Sequence, residues 1–281
     1  AELRYWKRRA AGEDAAGLDA AMQDELKRLD DDFAFVAECN LGGEFMAPEK
    51  VERLHRIADY DWVRTLDDRL GVSWEERQRM ERDAASPLPV TEKLLDNKVQ
   101  HLIERQAVDR LATDNPWGFR MDTPQYKYNR GELYILEVGR GTLTEEERYK
   151  INDHIMQTII MLEKLPYPKH LRDVPLIAGC HHETMDGKGY PKRLSRDEMP
   201  LTARMMAIAD IFEALTASDR PYKKAKRLSE AIRIMGFMKK DRHIDPDLFE
   251  LFLRSGIYQE YGRRFLQADQ LDEVNVSEYL D

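Results

Sequence analysis

The sequence predicts an all-α protein. Apolar residues recur at steps of three and four through most long stretches, and capping residues precede several of them. Strand-like runs are scarce, and only YNRGELYILEV (128–138) reads as a short hairpin. The length, 281 residues, suits one large domain or a compact domain with an appendage. Lys and Arg number 44 against 53 Asp and Glu, a formal net charge of −9. That balance argues against non-specific binding to nucleic acid, which needs a basic face. No apolar run approaches the roughly 18–20 residues of a membrane span. Two cysteines, Cys39 and Cys180, make no disulfide framework and suit a reducing cytoplasm. The start, AELRYWKRRAAG, has no signal-peptide pattern, and the missing initiator Met fits a piece of a longer chain.

Residues 13–39 read as one helix with Leu18, Met22, Leu26, Leu29, Phe33 and Val36 in a stripe. Two packings satisfy that stripe: a coiled-coil seam pairing two copies, or a face laid on the protein's own core. Asn40-Leu41-Gly42-Gly43 ends it. After Pro48 a second helix places Val51, Leu54, His55, Ala58, Trp62 and Leu66 on one face as far as Leu70. Ser73 and Glu76 form a capping box for a third helix, bounded by Pro87 and Pro89. Residues 96–140 are irregular. Thr144 and Glu147 open the next helix, which carries Ile151, His154, Ile155, Thr158 and Leu162 to Pro166. A helix from Ile177 to Thr184 leads into Asp186-Gly187-Lys188-Gly189. Residues 201–218 and 229–240 are amphipathic helices, and Asp245-Pro246 starts a last one, with Asp as N-cap and Pro at N1, ending at Gly256.

Chemistry concentrates around His181-His182. Two adjacent imidazoles cannot share one helix face, so the pair suits a helix end that wraps an ion or phosphate. Imidazole ligates zinc, iron and manganese. His154 taken alone reads as a core histidine. Asp210 falls within the apolar pattern Ile208, Ile211, Phe212 and Leu215, where an ionised carboxylate needs a cation: either a metal or a salt bridge to Arg204 or Arg220. Arg220, Tyr222, Lys223, Lys224, Lys226 and Arg227 form a basic cluster, either a solvated face or a holder of ligand phosphates.

HHETMDGKGYP (181–191), continued through ARMMAIADIFEALTASDRPYKKAKRLSEAIRIM and HIDPDLFELFL, resembles the signature of HD-GYP domains over roughly residues 141–254. These are metal-dependent phosphodiesterases that hydrolyse cyclic di-GMP. The resemblance implies an HD-type multi-helix bundle around two or three metal ions, preceded here by an N-terminal helical linker. It carries over to His154, His181, His182 and Asp210 as metal ligands, and through HRIADYDWVRTLDDRLGV to His55. Gly189, Tyr190 and Pro191 match the GYP triplet, which shapes the pocket and a surface for a signalling partner. Arg220 and Lys223 match phosphate contacts. The implied division is a linker and dimer stalk at 1–46, the helical domain at 47–260 with an insertion at about 96–140, and a tail at 261–281. The setting implied is a cytoplasmic homodimer below an upstream sensor domain.

One departure follows. The family's His-Asp dipeptide has no counterpart in MERDAASPLPVTEKLL, and no His-Asp dipeptide occurs in the chain; Asp83 is the nearest acid. A bridging carboxylate holds two cations about 3.5–4 Å apart and helps generate the attacking hydroxide. Its loss leaves at most one divalent transition metal, iron or manganese, on His154, His181 and His182, with His55 and Asp210 nearby. The insertion is then a lid, or fills the vacated site with Trp117, Tyr126 or Tyr128. Two readings follow: a weak phosphodiesterase for cyclic di-GMP or a related dinucleotide, or a non-catalytic binding or interaction module acting through dimerisation. A phosphohydrolase for another nucleotide is a third.

Overall fold

The computed structural model describes residues 1–217 and 225–280. The chain is all-α in class, with helices carrying the architecture and only short two-stranded pairs between them. Among the described residues no helix is long and apolar enough to cross a membrane. Two compact units divide it: Ala1–Asp109 with Pro124–Tyr149, and Arg110–Thr123 with Lys150–Asp281.

The first unit opens with α1 (Glu2–Ala10) and α2 (Ala15–Leu41), the latter capped by the Asp14 carboxylate on the Gly17 amide. The single helix expected over 13–39 is α2, and α1 before it is tied to it by Arg4–Glu25 and Arg9–Asp19. The stripe on α2 also shifts: Phe33 is 78% exposed, while Phe35 and Cys39 are buried against Leu54, Ile57 and Leu136. That end of α2 lies on its own core. Arg53 covers the Phe35 ring at 4.3 Å.

Helix α3 (Pro48–Ala58) stops well short of Leu70. Residues Asp61–Arg64 instead form a strand paired antiparallel with Val90–Lys93, leaving Trp62 and Leu66 exposed. Trp62 and Val63 favour extended backbone, and the pairing overrides the helical period. Ser73 caps the short helix α4 (Trp74–Met80) as expected. The predicted hairpin at 128–138 is absent: Tyr126–Asn129 pairs with Leu102–Glu104, and Glu132–Leu136 is a helix, α5.

Helix α6 (Glu145–Glu163) begins with the predicted capping box: the Thr144 hydroxyl accepts from the Glu147 amide, and the Glu147 carboxylate from the Thr144 amide. In the second unit α6 buries Ile155, Met156 and Ile159, whereas Ile151 is 53% exposed. Helix α7 (Val174–Gly179) ends five residues before the expected Thr184. Helices α8 (Leu201–Thr216), α9 (Leu228–Lys240), α10 (Pro246–Arg254) and α11 (Ile257–Phe265) enclose Phe212, Ile232, Met235, Ile244, Phe249 and Tyr258. Asp245 caps α10 through the Asp247 and Leu248 amides.

Residues beyond 260 are built into this unit. Tyr279 packs where a Cβ on Gly236 would sit, and the Gln270 amide donates to the carbonyls of Thr216 and Lys226.

Candidate metal centre

Three histidines of the second unit meet at one point. His154 comes from the middle of α6; His181 and His182 follow the end of α7 directly. One ligand atom from each lies within 4.8 Å of the others. The rings of His181 and His182 are 4.1 Å apart, and that of His154 lies 5.3 Å from His182. Imidazole nitrogens on one ion, at about 2.1 Å each, stand at most about 4.2 Å apart, so small side-chain movements suffice to close the group on a cation.

Two of the rings are aimed by backbone. His154 Nδ1 contacts the Ile151 carbonyl at 2.5 Å and His181 Nδ1 the Ala178 carbonyl at 2.6 Å, each three residues back. Each contact lets Nδ1–H donate and leaves Nε2 as the ligating lone pair, the arrangement that orients metal-bound histidines. His182 is aimed by stacking: Tyr190 lies parallel to it at 4.7 Å, with 20° between the planes. Burial, and then the neighbouring His181, His154 and His243, push the His182 pKa down to about 4. The ring is therefore neutral at pH 7, as a metal ligand must be. This donor set fits a borderline divalent ion.

Glu183 pins the turn that follows Tyr190. Its carboxylate is 1% exposed and accepts the amides of Lys192 at 2.7 Å and Leu194 at 2.8 Å. Burial raises its pKa, and these amides act in the opposite direction. Gly189 fits here because a Cβ would lie 2.4 Å from the Glu183 Cα, with no room to shift. Burial, followed by the Asp210 charge, pushes the Tyr190 hydroxyl up to about 12. Pro191 is buried beside it.

Asp210 and His55 are not in this group of three. Asp210 is exposed rather than set in an apolar face, because α8 buries the arc of Ala203, Ala207, Ile208 and Phe212 instead. Arg204, one of the two arginines offered as its salt-bridge partner, pairs instead with the fully buried Asp245, which Arg196 also reaches at 3.0 Å. Asp210 acts on Tyr190, and among the described residues the group of three contains histidines only. His55, in the first unit, is exposed and hydrogen-bonds Glu137 at 3.0 Å. Arg220 and Lys223 lie outside the described residues. Of the suggested plugs, Tyr126 and Tyr128 belong to the first unit's strand pair, and Trp117 to the second unit.

The sequence reading missed three features. His243 sits close enough to lower the His182 pKa; its only signal was its place in HIDPDLFELFL. Glu183 had one in its position after the His-His pair. Lys192 had none.

The HD domain family matches residues 89–248. A cyclic di-GMP phosphodiesterase of Pseudomonas aeruginosa is 47% identical over 95 residues, covering 34% of this chain and 22% of that protein. A 3'3'-cGAMP-specific phosphodiesterase of Vibrio cholerae is 38% identical over 111 residues, or 39% of this chain and 23% of the relative. A cyclic di-GMP phosphodiesterase response regulator of Xanthomonas campestris is 28% identical over 199 residues, 68% and 52% respectively. The chain thus spans about half or less of the length of these relatives.

Proposed function

Because this chain belongs to the HD domain family, in its HD-GYP branch, we propose that it is an output domain of cyclic dinucleotide signalling. In this reading it binds cyclic di-GMP or a related dinucleotide and hydrolyses it weakly or not at all. The observation that carries it is the convergence of His154, His181 and His182. These three residues would hold at most one iron or manganese ion, which would polarise a phosphoryl oxygen and acidify water.

The chain's own residues do the rest. The Ile151 and Ala178 carbonyls fix two tautomers, and burial keeps His182 unprotonated. Tyr190 stays a phenol at every physiological pH and offers an O–H donor near the ligand. The sequence lacks the His-Asp pair that would supply a second ion's bridge. Each lost transition-state contact of the charge-stabilising kind costs about 10²–10³ in rate, so turnover falls at least that far below an intact two-metal site.

The second reading, a non-catalytic module paired through its N-terminal helices, is favoured by the half-buried Met22, Leu26 and Leu29 on α2. An upstream sensor domain and a cytoplasmic setting complete the proposal; Gly189 and Pro191 are buried, so of the partner surface expected there only the half-buried Tyr190 remains. The test pairs metal analysis with calorimetric titration of cyclic di-GMP and a product assay in excess manganese or ferrous iron. One ion per chain and binding with little product is the expected result. Two ions and rapid release of linear dinucleotide or GMP overturn the weak-activity reading; absence of both binding and product overturns the nucleotide reading.

A further inference from the structure

Residues Arg110–Thr123 belong to the second unit although they precede α6, and they strap over the loop that follows Tyr190. The Arg120 amide donates to the Pro191 carbonyl at 2.7 Å, and Arg193 pairs with Asp122 at 2.5 Å. The tip of the strap is fastened by one side chain. Asn115 donates to the carbonyls of Ala112 and Phe119 and accepts the Phe119 amide at 2.9 Å. Gly118, at φ +70°, makes the left-handed step this turn needs.

The turn presents an aromatic plane. Trp117 stacks on Phe119 with ring centres 5.9 Å apart and planes within 12°. Phe119 is buried, at 4% exposed, while the indole keeps part of its surface open. Lys192 holds its ammonium 5.9 Å from the Phe119 ring centre, and among the described residues it pairs with no carboxylate. Two residues earlier, Tyr190 stacks on His182. At about 3.8 Å per residue, the Lys192 Cα is at most about 7.6 Å from that of Tyr190, whose ring stacks on the histidine centre.

We propose that Trp117 and Lys192 form a nucleotide-recognition site beside the metal centre: a purine base stacks on the indole and the ammonium meets a phosphate. This rests on the cyclic dinucleotide reading. With one phosphodiester at the histidines, the ligand's base and second phosphate extend along this wall. A flat aromatic held rigid before binding loses little entropy on stacking, and an unpaired ammonium loses no ion pair.

The experiment titrates cyclic di-GMP and, separately, GMP into the full chain and into Trp117→Ala, Trp117→Leu and Lys192→Met, following tryptophan fluorescence and calorimetry. Trp117→Leu keeps apolar cover over Phe119 without an aromatic plane. Both Trp117 variants are expected to weaken binding about ten- to hundredfold, and Lys192→Met about tenfold, with metal content and melting temperature unchanged. Quenching of the emission by ligand should vanish in both Trp117 variants. If cyclic di-GMP binds the unaltered chain and all three variants keep its affinity within about twofold, the inference fails and the functional reading stands. If only GMP binds, through Trp117, the dinucleotide reading fails and the site stands. If neither ligand binds, both fall.

Discussion

The second unit surrounds Ile232, Met235, Ile244 and Phe249, all at 0% exposure, with helices. The first unit buries a smaller set, Phe35, Cys39, Leu54, Ile57 and Leu136, and joins its remaining segments by short strand pairs and ion pairs such as Arg64–Glu92. Each unit holds histidines that the sequence singles out, yet they fare differently. In the second, helix-anchored carbonyls fix two rings within 2.6 Å. In the first, His55 stands exposed with one carboxylate partner. A ligand set needs rigid elements to aim it, and only dense helix packing supplies them here.

The sharpest way to break this contrast is Asp245→Ala. The carboxylate is fully buried, caps α10 and receives Arg196 and Arg204. Its removal leaves buried guanidinium uncompensated and should cost the second unit about 3–5 kcal/mol in denaturant unfolding. Arg4→Ala at the exposed Arg4–Glu25 pair in the first unit should produce no measurable change. Leu54→Ala comes next. It opens a cavity in a small cluster ringed by half-buried neighbours, so about 2–3 kcal/mol is expected, with metal content unaffected. A fall in metal content would show that the centre depends on the first unit's core. Thr144→Ala removes the α6 cap and should cost about 1 kcal/mol.

Another effect is in pH. Folding lowers the His182 pKa to about 4 from an unfolded value near 6.5. Between those values the unfolded chain holds a proton that the folded chain lacks. Stability of the metal-free protein should therefore be unaffected above about pH 6.5 and decline as pH falls towards 4. His182→Gln should flatten that slope in acid unfolding curves. A separate measurement bears on α2: replacing the half-buried Met22, Leu26 and Leu29 with Lys, which leaves Phe35 and Cys39 in the core, should convert a dimer to a monomer in light scattering. A full chain that is already monomeric would end the stalk proposal.

Local chemistry made much of this legible in advance. Thr144 with Glu147, Ser73 with Glu76 and Asp245 before Pro246 are caps whose partners lie within three residues, so spacing alone locates those helix starts. The His-His pair at a helix end was legible for the same reason. Long-range choices were not. Trp62 and Leu66 fit a helical period, but pairing of Asp61–Arg64 with residues 90–93 pulled them into and beyond a strand. Asp210 fits an apolar face whose true centre, Ala203, Ala207 and Phe212, is set by the helices that pack on α8. The strap from Arg110 to Thr123, and with it the placement of Trp117 near Lys192, depends on the Arg120–Pro191 and Arg193–Asp122 contacts across some seventy positions. By itself, then, the sequence determined the helical class, the caps and the place of the His-His pair at a helix end. Which face each helix buries, and what covers the Tyr190 loop, was decided only in three dimensions, because burial and loop closure reward contacts that periodicity does not encode.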